Sequence, residues 1–186
     1  MRTPEGVAIP PNTMAELERD LARLRFTREQ SRAIEKTRVT KFNASPLDQP
    51  HAMVLMLAKV RGVCIETGDM LVNEVLCRNL RDRRAVARYA GMTGSPDESG
   101  AKRREKGLAK AGNSRVRRGM LQLAWRWLML QKESVLSQWY KARTEHAPER
   151  TRKTMIVALA RKLLIALWRY TTIGEIPEAI VMRTAG

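Results

Sequence analysis

Two serines and a run of cations are the groups in this sequence that could do chemistry. Ser95 and Ser99 lie in a turn-rich stretch punctuated by Gly94, Pro96 and Gly100, with Gly107 and Gly112 beyond it. Lys102, Arg103, Arg104, Lys106, Lys110, Arg115, Arg117 and Arg118 follow, and between residues 102 and 118 only Glu105 opposes them. An exposed hydroxyl beside a dense cationic block is what chemistry on a phosphodiester requires. The cations hold and neutralise phosphates. The hydroxyl attacks phosphorus once a base or a metal activates it. Composition alone also fits a plainer reading, because Ser-Pro-Asp-Glu-Ser-Gly is an ordinary surface turn in which serine is common. The basic block is the stronger signal: a merely solvated face mixes signs, and this one does not. Residues 102–118, Asn113 among them, are therefore expected to bind nucleic acid.

The rest of the composition supports a polyanion partner. Of 186 residues, 35 are Lys or Arg and 19 are Asp or Glu, giving a net charge of +16 and a pI near 10.8. Such an imbalance favours nucleic acid or an anionic membrane surface. With 44% apolar and 29% charged residues the chain is globular rather than disordered. No run reaches the roughly 18 apolar residues of a membrane span; the best candidate, Met155 to Trp168, is interrupted by Arg161-Lys162. The N-terminus lacks the apolar core of a signal peptide. Cys64 and Cys77 have no second pair with which to build a zinc site, so they are expected to be free, helix-core thiols in a reducing cytoplasm. No metal ligands and no cofactor are assigned to the chain.

The elements that must position these groups are helical throughout, so the expected fold class is all-α. Residues 1–45 form a Pro-rich lead-in and an amphipathic or coiled-coil helix, capped at Asn12 or Thr13, with a seam of Leu17, Leu21 and Leu24. A compact helical domain is expected over 50–180. Within it, residues 53–77 have the layout of a helix-hairpin-helix turning near Gly62, with plain helix packing as the simpler role. Residues 91–101 are the serine loop and 102–118 the basic block. Two core helices follow, 114–141 and 154–170. Further basic clusters occur at Arg81, Arg83, Arg84 and Arg88, and at Arg150, Arg152 and Lys153. Trp125 and Trp127 cannot share one helix face; core packing is expected for both, with stacking on bases as the alternative role.

Four segments carry a resemblance. They are Ala-Arg-Tyr-Ala-Gly-Met-Thr-Gly-Ser-Pro-Asp-Glu-Ser-Gly (87–100), Gly-Leu-Ala-Lys-Ala-Gly-Asn-Ser-Arg-Val-Arg (107–117), Leu-Ala-Trp-Arg-Trp-Leu (123–128) and Ile-Val-Ala-Leu-Ala-Arg-Lys-Leu-Leu-Ile-Ala-Leu-Trp-Arg-Tyr (156–170). Together they resemble the C-terminal transposase domain of the insertion sequence 110 family, and residues 2–24 are similar to the linker before it. The resemblance implies DNA cleavage and strand transfer through a serine nucleophile, at Ser99, with Ser95 as the fallback. It implies a guide RNA as well as DNA, and a homo-oligomer or a partner chain. It also implies an N-terminal RuvC-like domain with four carboxylates and Mg2+, which the residues present here do not supply. The chain alone is thus expected to be inactive, as a truncated product or one part of a split protein. The alternative is a non-catalytic nucleic-acid-binding module that modulates a full-length transposase.

Overall fold

A computed structural model describes residues 6, 8–44, 49–99, 102–108 and 111–183. The chain divides into two units, Met1–Ala44 and Ser45–Gly186. The first is one helix, α1 (Pro11–Ala44), which starts one residue ahead of the expected cap at Asn12. Proline suits a first turn because its missing N–H would have no helical partner there. The leucines of the expected seam are exposed by 42–45%.

The second unit begins with α2 (Gln49–Ala58) and α3 (Ile65–Leu71). A π-helical turn, Val72–Leu76, continues α3 and carries Glu74. Next comes α4 (Arg83–Tyr89), capped by the Asp82 carboxylate, which accepts hydrogen bonds from the Arg84 and Ala85 amides. Two antiparallel strands follow, β1 (Gly94–Ser99) and β2 (Lys102–Leu108). Three helices complete the unit: α5 (Ser114–Leu130), α6 (Val135–Thr144) and α7 (Glu149–Ile173). The helical class is as expected. The exception is the β1–β2 ribbon, which replaces the expected loop at 91–101 and the start of the basic block.

Helix α7 is the centre of the core. Ile156, Leu159, Ala160, Leu163, Leu164, Leu167 and Tyr170 recur at spacings of three and four and are buried. The matching stripe of α5 is Val116, Met120, Leu123, Ala124 and Trp127. Helices α4, α5 and α6 all lie against α7. Gly174 ends it in the left-handed conformation, φ 71°, as its position after the last apolar residue predicts. The helix starts at Glu149 rather than 154, so Arg150, Arg152 and Lys153 stand on its first turns.

The expected helix 114–141 is broken at 131–134. Gln131 is 1% exposed and is committed elsewhere. Its amide nitrogen donates to the Arg61 and Val181 carbonyls at 2.8 Å, and its oxygen accepts from the Val181 amide at 2.8 Å. Ser134 then starts a new helix: its hydroxyl accepts from the Ser137 amide and from the Trp127 indole N–H, the latter at 2.9 Å. Trp127 is therefore core, whereas Trp125 is 51% exposed, so the two tryptophans do not share the expected burial. At the turn near Gly62 the two flanking amides are bonded within the protein. The Arg61 amide donates to Val181 and the Val63 amide to Val60, so the segment packs against the C-terminal tail. Cys64 is half-buried just ahead of α3 and Cys77 is exposed, which corrects the helix-core placement.

Candidate nucleic-acid interface

The serine stretch is held at its root, by backbone approaching backbone. Gly91, φ 65°, and Gly112, φ 150°, sit side by side where the chain enters and leaves the ribbon. A Cβ built on Gly112 would lie 2.5 Å from the Gly91 nitrogen and 2.8 Å from the Tyr89 carbonyl oxygen. Only a residue without a side chain permits that approach. The Asn113 amide donates to the same Tyr89 oxygen at 2.8 Å, closing the root.

Asn113 does more than close it. Its side-chain oxygen accepts from the Arg115 and Val116 amides, so it caps α5. Its side-chain nitrogen donates to Glu74 at 2.8 Å. The Arg115 guanidinium also reaches Glu74, at 3.2 Å. The π-helical turn thus places one carboxylate where it gathers both residues. Arg78 stacks on the Tyr89 ring 4.9 Å from its centroid, extending the cluster.

From this root the ribbon carries both serines. Ser99 pairs with Lys102, Asp97 with Arg104 and Ser95 with Lys106, while Glu98 pairs with Arg103. Ser95, Asp97 and Ser99 therefore occupy one parity of the ladder, together with Lys102, Arg104 and Lys106. Opposite charges stand at opposing positions, an order that favours an antiparallel pair. Lys110 lies outside the described residues. Arg118 is exposed on α5, and Arg117 stands close to Gly91. Of the ten predicted site residues, the nine described ones consequently fall into two groups. Ser99, Lys102, Arg103, Arg104 and Lys106 are on the ribbon. Asn113, Arg115, Arg117 and Arg118 are at its exit and on the first turns of α5.

A second basic surface was seen in the sequence only as scattered clusters. An open groove of about 1330 Å³ runs between α4 and α7. Its rim carries Arg83 and Arg84 from α4 and Arg150, Lys153, Arg161, Lys162 and Arg169 from α7. Among the described residues Glu149 is the one acid lining it, and it is paired with Lys153 at 2.7 Å. Arg152 points elsewhere: its guanidinium donates to the Thr144 and Glu145 carbonyls and finishes α6.

Among the described residues no three of His, Cys, Asp and Glu come together to hold a metal ion, so these side chains do not fit a magnesium site. No helix among them is long and apolar enough to cross a membrane.

Residues 55–141 match the family described as Transposase IS116/IS110/IS902. The chain is also 38% identical over 191 residues to y4rJ of Sinorhizobium fredii (strain NBRC 101917 / NGR234), a protein assigned as a transposase. That match takes in 99% of this chain and 48% of the relative, so the chain spans about half the relative's length.

Proposed function

The chain carries, at residues 55–141, a transposase domain of the IS116/IS110/IS902 family, and from that premise we propose that it is the DNA-binding part of a transposase whose nucleophile is Ser99. The observation that carries the proposal is the rooted ribbon, which sets Ser99 across from Lys102 and in ladder parity with Arg104 and Lys106. In the reaction the Ser99 hydroxyl gives its proton to a base as Oγ bonds to phosphorus. One phosphodiester P–O bond breaks, and the departing deoxyribose oxygen is protonated. The ribbon cations offset phosphate charge and fix the backbone beside the hydroxyl.

The base and any magnesium are assigned to carboxylates outside these residues, on a RuvC-like domain of the same protein or of a partner chain. No step through a metal is derived from the residues here. A guide RNA is proposed as the second polyanion, and the cytoplasm as the compartment.

The test joins this chain to the part of the Sinorhizobium relative that lies outside the match, then looks for a covalent protein–DNA adduct with magnesium present. The adduct should vanish with Ser99→Ala and persist with Ser95→Ala. The reverse pattern moves the nucleophile to Ser95. An adduct that survives the double substitution removes both serines from the mechanism.

A further inference from the structure

We infer that the groove between α4 and α7 is a second DNA-binding site, built to hold the phosphate backbone of a duplex and lead it to the ribbon. This rests on the transposase reading above and assigns a different surface from the basic block. Among the described residues seven cations line the groove against one acid, and that acid is already paired with Lys153. Among the described residues Arg83, Arg84, Arg150 and Arg161 make no ion pair, and Arg169 pairs with Glu175 outside the groove. A row of like charges, most of them in no ion pair, fits a polyanion. Lys162 is also held in place, its ammonium 4.8 Å from the centroid of the Trp139 ring, with Arg143 stacked on the same ring.

The floor of the groove suits a duplex rather than a single strand. Met92, Leu136, Val157 and Ile165 lie there and no aromatic residue lines the groove. Single strands are gripped by stacking bases on aromatic rings. A groove with cations on its rim and aliphatic residues below has nothing for a base to stack on and everything for a backbone. From Arg150 to Arg169 the helix rises about 28 Å at 1.5 Å per residue, which matches the axial length of about eight base pairs of duplex at 3.4 Å each. Gly94 lines the groove and begins β1. Ser99 stands five residues further on, about 17 Å along an extended strand. A backbone lying in the groove therefore arrives beside the serine-bearing ribbon.

The test measures binding of the full chain to a 24-base-pair DNA duplex as a function of salt. The joint variant Arg84→Gln, Arg150→Gln, Arg161→Gln should flatten the log K against log salt slope by about 2.7, at 0.9 per lost phosphate contact. The charge-matched variant Arg19→Gln, Arg28→Gln, Arg32→Gln on α1 should change it less. The three groove arginines make no ion pair, so helicity and melting temperature should stay at wild-type values. On the unaltered protein, duplex should also slow acetylation of Lys153 and Lys162 relative to Lys132. Equal losses from the two variants, or unchanged acetylation of both lysines, overturn the groove assignment. Groove dependence seen with a poly-dT strand or an A-form RNA duplex but not with duplex DNA overturns the choice of occupant. Wild-type protein that binds no DNA overturns the DNA-binding reading and this site together, a result the variants cannot mimic.

Discussion

Replacing Gly112 by alanine should loosen the root of the ribbon while leaving the helical core in place. Two penalties can be worked out. Gly112 has φ 150°, where a side chain is strained, a cost of about 1–3 kcal/mol. The new Cβ would also meet the Gly91 nitrogen at 2.5 Å, the Gly91 Cα at 2.6 Å and the Tyr89 oxygen at 2.8 Å. Carbon contacts relax near 3.5 Å, so backbone must shift by about 1 Å. That shift weakens the Asn113–Tyr89 hydrogen bond, worth about 0.5–1.5 kcal/mol. The sum is about 2–4 kcal/mol, read by urea unfolding followed by circular dichroism. Gly174→Ala is the internal control: φ there is 71°, but nothing lies within 4 Å of its Cβ, so strain alone should cost about 1–2 kcal/mol. Limited proteolysis should cut Gly112→Ala within 95–108 sooner than wild type. A Gly112→Ala protein as stable as wild type, or no less stable than Gly174→Ala, would refute the close approach as the device that fixes the ribbon.

Three further outcomes are expected. Asn113→Ala should destabilise the chain by about 1–2 kcal/mol, because it removes the α5 cap and a hydrogen bond to Glu74; unchanged stability with weakened DNA binding would make Asn113 a phosphate contact instead. Joint Arg103→Ala, Arg104→Ala and Lys106→Ala should flatten the salt dependence of DNA binding by about 2.7, from a wild-type slope near −5 for about six phosphates; an unchanged slope would remove the ribbon from the interface. The amides of Ala85 and Arg84 hold the Asp82 carboxyl below its ordinary value of 3.8. A lowered folded value means the stabilisation is present above that ordinary value and is lost as pH falls through the folded one. Stability measured between pH 5 and pH 3 should therefore fall more steeply in wild type than in Asp82→Asn, and parallel curves would contradict the cap.

What the sequence made legible follows from periodicity and caps. Helix α7 is visible as an apolar row at spacings of three and four closed by Gly174, and Asn113 is visible as a cap. The ribbon is hidden because strands are recognised by alternating apolar residues, and β1 and β2 hold almost none. Its one signal is a mirrored charge order, Asp97-Glu98 before Gly100 and Arg103-Arg104 after it. The break at 131–134 is hidden for another reason. Gln131 fits a helix by propensity, and what stops it is a contact with Val181, fifty residues away. Cationic clusters overstate the interface for the same kind of reason: Arg115 and Arg152 belong to basic runs, yet one is held by Glu74 and the other finishes α6. The groove has no linear signature at all, since residues 83–84 and 150–169 meet only when α4 packs on α7.

Helix α7 shows why such a surface is placed where it is. Like charges three or four residues apart weaken a helix by a few tenths of a kcal/mol per pair, and its groove face carries Arg150 and Lys153 at that spacing, with Arg161 and Lys162 further along. An isolated amphipathic segment would fray under that repulsion. Here the opposite face buries seven residues, most of them Leu or Ile, and burying such side chains contributes about 1.5–3 kcal/mol each. The core term exceeds the repulsion several-fold, so the helix with the deepest burial is the one that tolerates a strongly cationic face. The ribbon has no such reserve, because a lone two-stranded pair is marginal in water. Its position depends instead on Gly91, Gly112, Asn113 and Glu74 at the root. The two basic surfaces are thus held by different means, and substitutions should separate them: changes on the groove face alter charge without altering the fold, whereas changes at the root alter where Ser99 stands without altering charge.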